Sequence, residues 1–177
     1  MKVTPIIETE RLVLRPFRRR DAAAASYNSR QPSVAHFMSD MVLPTKKDAK
    51  RWIRWIYREV TVSGVLAVTL KSSKKCIGLV GAVRQSKVDN EIEILFAIAD
   101  EYQNNGYAAE AGSALIDWVF ANTEVPYLVA IVKHENLASQ RVIAKLGFAY
   151  SGERRAEYDG EMTDFHYYRL NRPDAQC

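Results

Sequence analysis

Three strand-like runs follow one another at residues 65–70, 76–83 and 91–98, joined by polar pieces too short to hold a crossover helix. Parallel neighbours need a connection of a dozen or more residues, so these runs favour an antiparallel meander. In the third run Ile92, Ile94, Phe96 and Ile98 alternate with Glu91 and Glu93, the pattern of a half-buried strand. A sheet is therefore the organising element, and the helical segments must pack onto it.

Residues 11–17 read as another strand, with Pro16 marking an edge. Asp21 is placed to cap a helix over the alanines that follow. Residues 28–44 are broken by two prolines around a short apolar piece at 34–38. Thr45 and Asp48 then imitate a capping box before a helix on which Ala49, Trp52, Ile53, Ile56 and Val60 keep the helical period. Beyond the meander come a helix at 106–121, with Ala108, Ala111, Leu115 and Val119 on one face, a strand at 126–133 and a helix at 136–146. A closing hairpin of residues 148–155 and 163–170 turns around Asp159-Gly160. The order β-α-α-β-β-β-α-β-α-β-β predicts an α/β (α+β) fold, a mixed, mostly antiparallel central sheet of about seven strands flanked by helices. With no repeat or linker in sight, residues 1–177 read as one domain.

Composition narrows the function classes. Hydrophobic residues make up 47% and charged residues 26% of the chain, which argues against disorder and coiled coil. No apolar run approaches the roughly 18 residues of a membrane span, and the start lacks the apolar core of a secretory signal, so a cytoplasmic protein without membrane contact is expected. Cys76 and Cys177 are too few for a disulfide framework and read as free thiols. His36, His134 and His166 lack ligand spacing, so no metal is expected. His134, beside Glu135, reads as a structural histidine near the cleft. The net charge of +4, densest at Arg18-Arg19-Arg20 and Arg154-Arg155, fits either a solvated face or a polyanionic ligand.

The chemistry concentrates between residues 91 and 110. A strand ends at Ile98, a polar turn covers residues 100–105, and a helix opens at Gly106. Glycine permits positive φ and close approach of a ligand to the backbone. Ala108 and Ala109 leave the first-turn N–H groups uncovered, and those donors with the helix dipole make an anion site. Spacing alone also allows an ordinary connecting loop. Other signatures fail: there is no Gly-x-Ser-x-Gly elbow, the stretch 81–87 lacks the Gly-Lys-Ser/Thr ending of a P-loop, and no Gly-x-Gly-x-x-Gly follows a strand.

Gln103-Asn104-Asn105-Gly106-Tyr107-Ala108 resembles the Gln/Arg-x-x-Gly-x-Gly/Ala signature of the GNAT N-acetyltransferase superfamily. Residues 10–17 with Asp21 resemble its opening strand and helix, residues 136–148 its second cofactor segment, and residues 159–168 its closing hairpin. Tyr102, Glu110, Ala111 and the pair Asn136 and Ser139 resemble the branch typified by ribosomal-protein-alanine N-acetyltransferases. The resemblance implies acetyl-CoA as co-substrate. Its pantetheine arm would pair with the backbone of Phe96, Ala97 and Ile98, provided the next strand splays away. Its pyrophosphate would lie on the N–H groups of Asn104, Asn105, Gly106, Tyr107, Ala108 and Ala109, beside Gln103. Asn136 would bond the pantetheine amides and Ser139 would sit near the departing thiolate.

The reaction implied is direct attack by a primary amine in a ternary complex. Free α-amino groups titrate near 7.7–8.0 and lysine near 10.4, so a proton must leave before the nitrogen can attack. Glu93, at the family's acidic position, is the candidate base through water, with Glu91 the second choice. Many relatives carry a tyrosine acid seven residues after the asparagine; here that position is Ile143, which has no proton to give. Leu95 stands where the branch commonly has Gly, facing the acceptor, and Asn104-Asn105 replaces a small or basic pair. Trp52, Trp55 and Tyr57 read as packing, Tyr168 as packed in the sheet, and Asp164 as touching either an acceptor or a nearby cation. The acceptor expected is a protein N-terminal amine; a polyamine, amino acid or drug, or a non-catalytic acyl-CoA-binding module, are the rival readings. No nucleic-acid partner is expected, and the chain would act as monomer or homodimer.

Overall fold

A computed structural model describes residues 5–59, 64–84 and 89–173. The chain runs β1 (Ile7–Glu8), β2 (Leu12–Pro16), α1 (Ala22–Ser29), α2 (Pro32–Phe37), α3 (Lys46–Glu59), β3 (Gly64–Leu70), β4 (Cys76–Arg84), β5 (Ile92–Ile98), α4 (Tyr107–Asn122), β6 (Tyr127–Lys133), α5 (Leu137–Lys145), β7 (Ala149–Tyr158) and β8 (Glu161–Asn171). The strands form one sheet in the order β1-β2-β3-β4-β5-β6-β8-β7. It is antiparallel throughout except where β5 meets β6. The expected mixed, mostly antiparallel sheet is present, with eight strands rather than about seven. The extra one, β1, has two residues and is too short to carry a period.

Both sheet faces are covered, so the central strands are apolar on both sides. Leu66 and Val68 point into a core shared with Leu12, Leu14, Val80, Ile94 and the α4 residues Leu115 and Val119. Val65 and Ala67, one step out of phase, face a second cluster with Phe17, Ala22, Ala25, Ile53, Ile56 and Leu95 beneath α1 and α3. Burying both rows is what turns these strands into near-continuous hydrophobic runs.

Several local readings hold and others shift. Asp48 N–H donates to Thr45 Oγ1 at 3.2 Å and Thr45 N–H to Asp48 Oδ2 at 3.2 Å, a reciprocal capping box. Trp52 packs edge-on to Phe17 at 5.2 Å, while Trp55 is exposed and Tyr57 donates its hydroxyl to the Phe17 carbonyl. Val60 and Cys177 lie outside the described residues. Asp21 does not cap α1 with its side chain. It is buried and bonds Arg15 through both carboxylate oxygens, at 2.7 and 3.0 Å, and accepts from Arg18 N–H at 2.6 Å. The broken stretch contains a helix after all, α2, because Pro32 occupies its first turn, where a missing N–H costs nothing. The closing hairpin is longer than expected, with Asp159 (φ 53°) and Gly160 (φ 80°) as a two-residue turn.

Candidate active site

The site is made by one irregularity in the sheet. β5 and β6 are parallel neighbours joined through α4, and their register is held at a single pair, Glu93 with Val129. Beyond it β5 continues through Phe96, Ala97 and Ile98 with β4 on one side only. A parallel strand that leaves early exposes the backbone donors and acceptors of its neighbour. The result is a cleft of about 500 Å³ between the two strands.

At one end of the cleft lies the loop into α4. Asn104 (φ 60°) and Gly106 (φ 79°) both adopt the left-handed region, and Gly106 is the residue before the first helical turn. The first-turn N–H groups have no intrahelical acceptor and carry the positive end of the helix dipole. A Cβ on Gly106 would lie 3.4 Å from the Arg11 guanidinium. Arg11 fastens this loop: it donates to the Asn105 carbonyl at 2.9 Å, pairs with Glu110 at 2.6 Å and lies 4.5 Å over the Tyr107 ring. Glu110 also accepts from the Thr9 hydroxyl at 2.6 Å and Arg11 N–H at 2.9 Å. Burial alone would raise its pKa; the bonds from Thr9 and Arg11 outweigh that and hold the carboxyl below its usual range.

The cleft gathers Glu93, Phe96, Ala97, Ile98, Gln103 and Asn104, together with Gly106, Tyr107, Ala108, Ala109, Asn136 and Ser139. Asn105, the remaining candidate, is not in its wall; its amide donates to the Tyr102 and Gln103 carbonyls at 3.2 and 2.9 Å and so shapes the turn. The Gln103 amide is spent on the protein, donating to Ile98 O at 2.8 Å and Ser33 Oγ at 2.7 Å, which pins the end of β5 to the start of α2. Asn136 caps α5, accepting from Ser139 N–H at 3.1 Å. Among the described residues the Ser139 hydroxyl and the Asn136 Nδ2 have no hydrogen-bond partner, so both keep donors for a ligand. Ile143 lies one helical turn beyond Ser139 on the same face, buried in the wall.

The two glutamates of β5 separate. Glu93 is half-buried in the cleft on the strand face shared with Leu95 and Ala97. Glu91 is occupied elsewhere, accepting from the Tyr167 hydroxyl at 2.9 and 3.0 Å and lying 3.5 Å from Arg154. The second-choice base therefore sits outside the cleft. Asp164 faces Arg155 at 3.8 Å, and Tyr168 is buried in the sheet. Cys76 is unpaired; burial first, then the Asp21 charge, pushes its thiol up to about 12, so it stays protonated at neutral pH.

Sequence reasoning missed three contributions. Arg11 reads only as a strand residue in the sequence, although it fastens the loop into α4. Tyr158 and Phe165 of the closing hairpin, with Phe37, Met38 and Met41 around α2, wall the far end of the cleft. Arg141 and Lys145, four residues apart on α5, add cations to its edge. Arg11 and the α2 and hairpin residues come from segments remote in sequence from the loop, whereas Arg141 and Lys145 lie within the second cofactor segment and are passed over there.

Residues 11–149 match the family described as acetyltransferase (GNAT) domain. The chain is 26% identical to an uncharacterized N-acetyltransferase, YoaA, of Bacillus subtilis, covering 96% of this chain and 98% of that one. Among solved structures, a GNAT-family acetyltransferase from Bacillus anthracis superposes with a TM-score of 0.82 at 23% identity, covering 96% of this chain and 100% of that chain. RimL, a ribosomal L7/L12 alpha-N-protein acetyltransferase in complex with coenzyme A, superposes with a TM-score of 0.79 at 16% identity, covering 97% and 100%. A splayed β5–β6 pair, a left-handed loop into α4 and a family match over most of the length agree, and the chain belongs to the GNAT family of acetyl-CoA-dependent N-acetyltransferases.

Proposed function

We propose that the protein acetylates the N-terminal α-amine of a protein or peptide. The observation that carries this is a single cleft whose lining runs from the helix-opening loop at residues 103–109, suited to an anion, to Glu93 beside apolar side chains. The mouth sets the apolar side chains of Phe37, Met38, Met41, Leu95 and Phe165 beside the carboxylates of Asp40 and Glu93, a lining that suits an amine carrying an apolar neighbour. RimL acts on an N-terminal amine within the same fold, which agrees with that choice.

Acetyl-CoA supplies the thioester. Residues 104–109 would hold its phosphates, the free edge of Phe96, Ala97 and Ile98 and the Asn136 amide would align the arm, and Arg141 and Lys145 would meet further phosphate charge. As the amine nitrogen bonds the carbonyl carbon, Glu93 accepts through water the proton that nitrogen loses. As the carbon–sulfur bond breaks, the Ser139 hydroxyl hydrogen-bonds the departing thiolate, which takes its proton from water while Glu93 returns the amine's proton to solvent. An α-amine suits a carboxylate base because much of it is already neutral near pH 8, unlike lysine.

The test is turnover of a panel of free-N-terminus peptides, their Nα-blocked lysine-containing counterparts and spermidine, with the acetylated nitrogen located by mass spectrometry. Acetylation of the free α-amine alone is expected, with Glu93→Gln lowering kcat by about 10²-fold and Ser139→Ala by a smaller factor. Turnover of spermidine or lysine in preference to every α-amine overturns the acceptor reading. Unchanged turnover in Glu93→Gln removes the base.

A further inference from the structure

We infer that His134, Glu153 and His166 form a binding site for a single Zn²⁺-class divalent cation where the β6–α5 turn meets the closing hairpin, outside the lining of the reaction cleft. One ligand atom from each lies within 4.8 Å of the other two, and none of the three residues lines the cleft. Two imidazoles and a carboxylate are a donor set that suits zinc and its neighbours, with a fourth position left to water.

The three residues come from separate segments that the sheet brings together. His134 follows β6 in the turn to α5, Glu153 stands in β7 and His166 in β8. β8 places His166 opposite Val132 on one side and opposite Glu153 on the other. The register of β7 and β8 slips between Tyr150 and Glu153, a bulge that re-aims the carboxylate. His134 Nε2 lies 2.6 Å from Glu153 Oε2, and His166 Nε2 lies 3.6 Å from Glu153 Oε1. Ligand atoms bonded at about 2.1 Å to one tetrahedral ion stand roughly 3.3 Å apart. The carboxylate stands closer than that to His134 and slightly farther than that from His166, and all three ligand atoms lie within 4.8 Å of one another, so side-chain rotations would have to draw them around one ion.

Further contacts fit a ligand set. The Tyr150 hydroxyl donates to Glu153 Oε1 at 2.7 Å, and the Tyr168 hydroxyl lies 3.5 Å from His166 Nδ1, the nitrogen opposite the one aimed at the carboxylate. Partners of this kind fix the orientation of metal-binding carboxylates and imidazoles. The two imidazole rings are 4.3 Å apart, close enough that two protonated rings would repel, whereas two neutral rings can share an ion. A bound cation would staple the β6–α5 turn, which delivers Asn136 to the cleft, onto the closing hairpin.

The test is calorimetric titration of the untagged, chelator-stripped chain with ZnCl₂, followed by Co²⁺ and its visible absorption. One saturable equivalent with a micromolar or tighter Kd is expected, together with the intense visible bands of four-coordinate cobalt. His134→Ala, His166→Ala and Glu153→Gln should each abolish it, while Tyr150→Phe should weaken it about ten-fold. All three ligand side chains are at least partly exposed, so these variants should keep their melting temperature in chelator. Absence of saturable Zn²⁺ binding by folded protein overturns the site. So does binding that survives all three ligand variants, since the ion then sits elsewhere. Activity is not read, so failure here leaves the proposed acceptor untouched.

Discussion

Among the described residues, Arg15 and Asp21 are the charged pair that folding removes most completely from water, at 7% and 6% exposure. Each guanidinium–carboxylate bond is short and the Arg18 N–H completes the carboxylate's shell. Burial by itself would raise the pKa of Asp21, but the bonds from Arg15 and Arg18 outweigh it and hold the group below the usual carboxylate range. A folded value below the unfolded one, near 3.9, means that this stabilisation is full above pH 4 and is lost as the pH falls toward the folded value. Thermal melts should therefore show a fall in Tm as the pH drops below about 4 that is shallower in Asp21→Asn, because the variant has already lost the contribution. Asp21→Asn leaves Arg15 buried without a countercharge and should cost about 3–5 kcal/mol, read from urea unfolding. Replacing both groups, Arg15→Met with Asp21→Leu, should recover much of that loss; recovery no better than the single variant would show that the pair is worth more than its desolvation. Asp21 also shows a limit of reading by neighbours in sequence. An aspartate before an alanine run has the local marks of a cap, while the strand arginine that claims it is visible only once β2 lies alongside the start of α1.

Elements differ in how legible they were for the same reason. The loop 103–109 could be read directly, since positive φ, small side chains and a helix start are local properties of consecutive residues. The capping box of α3 was legible likewise. The departure of β6 from β5 was not, because a register held at one pair depends on how two strands and α4 pack together. The wall given by α2 and the hairpin was hidden behind connections of many residues. At the element scale the α4 start yields the sharpest test. Gly106→Trp should abolish acetyl-CoA and CoA binding in calorimetry, because a side chain at φ 79° is strained and would fill the space over the first-turn N–H groups. The same variant should keep its circular dichroism spectrum, since Gly106 is exposed and precedes the helix. Arg141→Ala with Lys145→Ala should raise the KM for acetyl-CoA several-fold with kcat little changed, and the effect should shrink in high salt. A kcat loss at constant KM would instead assign these cations to the reaction itself.

Taken whole, the molecule is a sheet opened in the middle and closed again at its end. Splaying β6 from β5 leaves the backbone edge of Phe96, Ala97 and Ile98 unpaired on that side, and a gap of that kind requires something to hold its far side. The β7–β8 hairpin supplies the bridge. Its tip reaches the turn after α2, where the Tyr158 hydroxyl accepts from Ser39 N–H at 2.8 Å and donates to the Phe37 carbonyl at 3.0 Å. The Ser39 hydroxyl bonds the Asp159 carboxylate, and Lys133 at the end of β6 lies 4.0 Å over the Tyr158 ring. One side chain thus links the hairpin, the α2 turn and the strand that diverged, and it does so beside Phe37, Met38 and Met41 rather than at the loop of residues 104–109. Tyr158→Phe removes the hydroxyl while keeping the ring, leaving Ser39 N–H and the Phe37 carbonyl to find water. Net loss of such bonds costs about 1–3 kcal/mol, small enough for the fold to survive. Its consequence should be directional. The KM for the amine should rise at least several-fold, while the affinity for acetyl-CoA, bound at the opposite end, stays within about two-fold. Equal weakening of both ligands would mean that the hairpin sets the opening of the entire cleft; no change in either would make its contact with α2 a matter of stability alone.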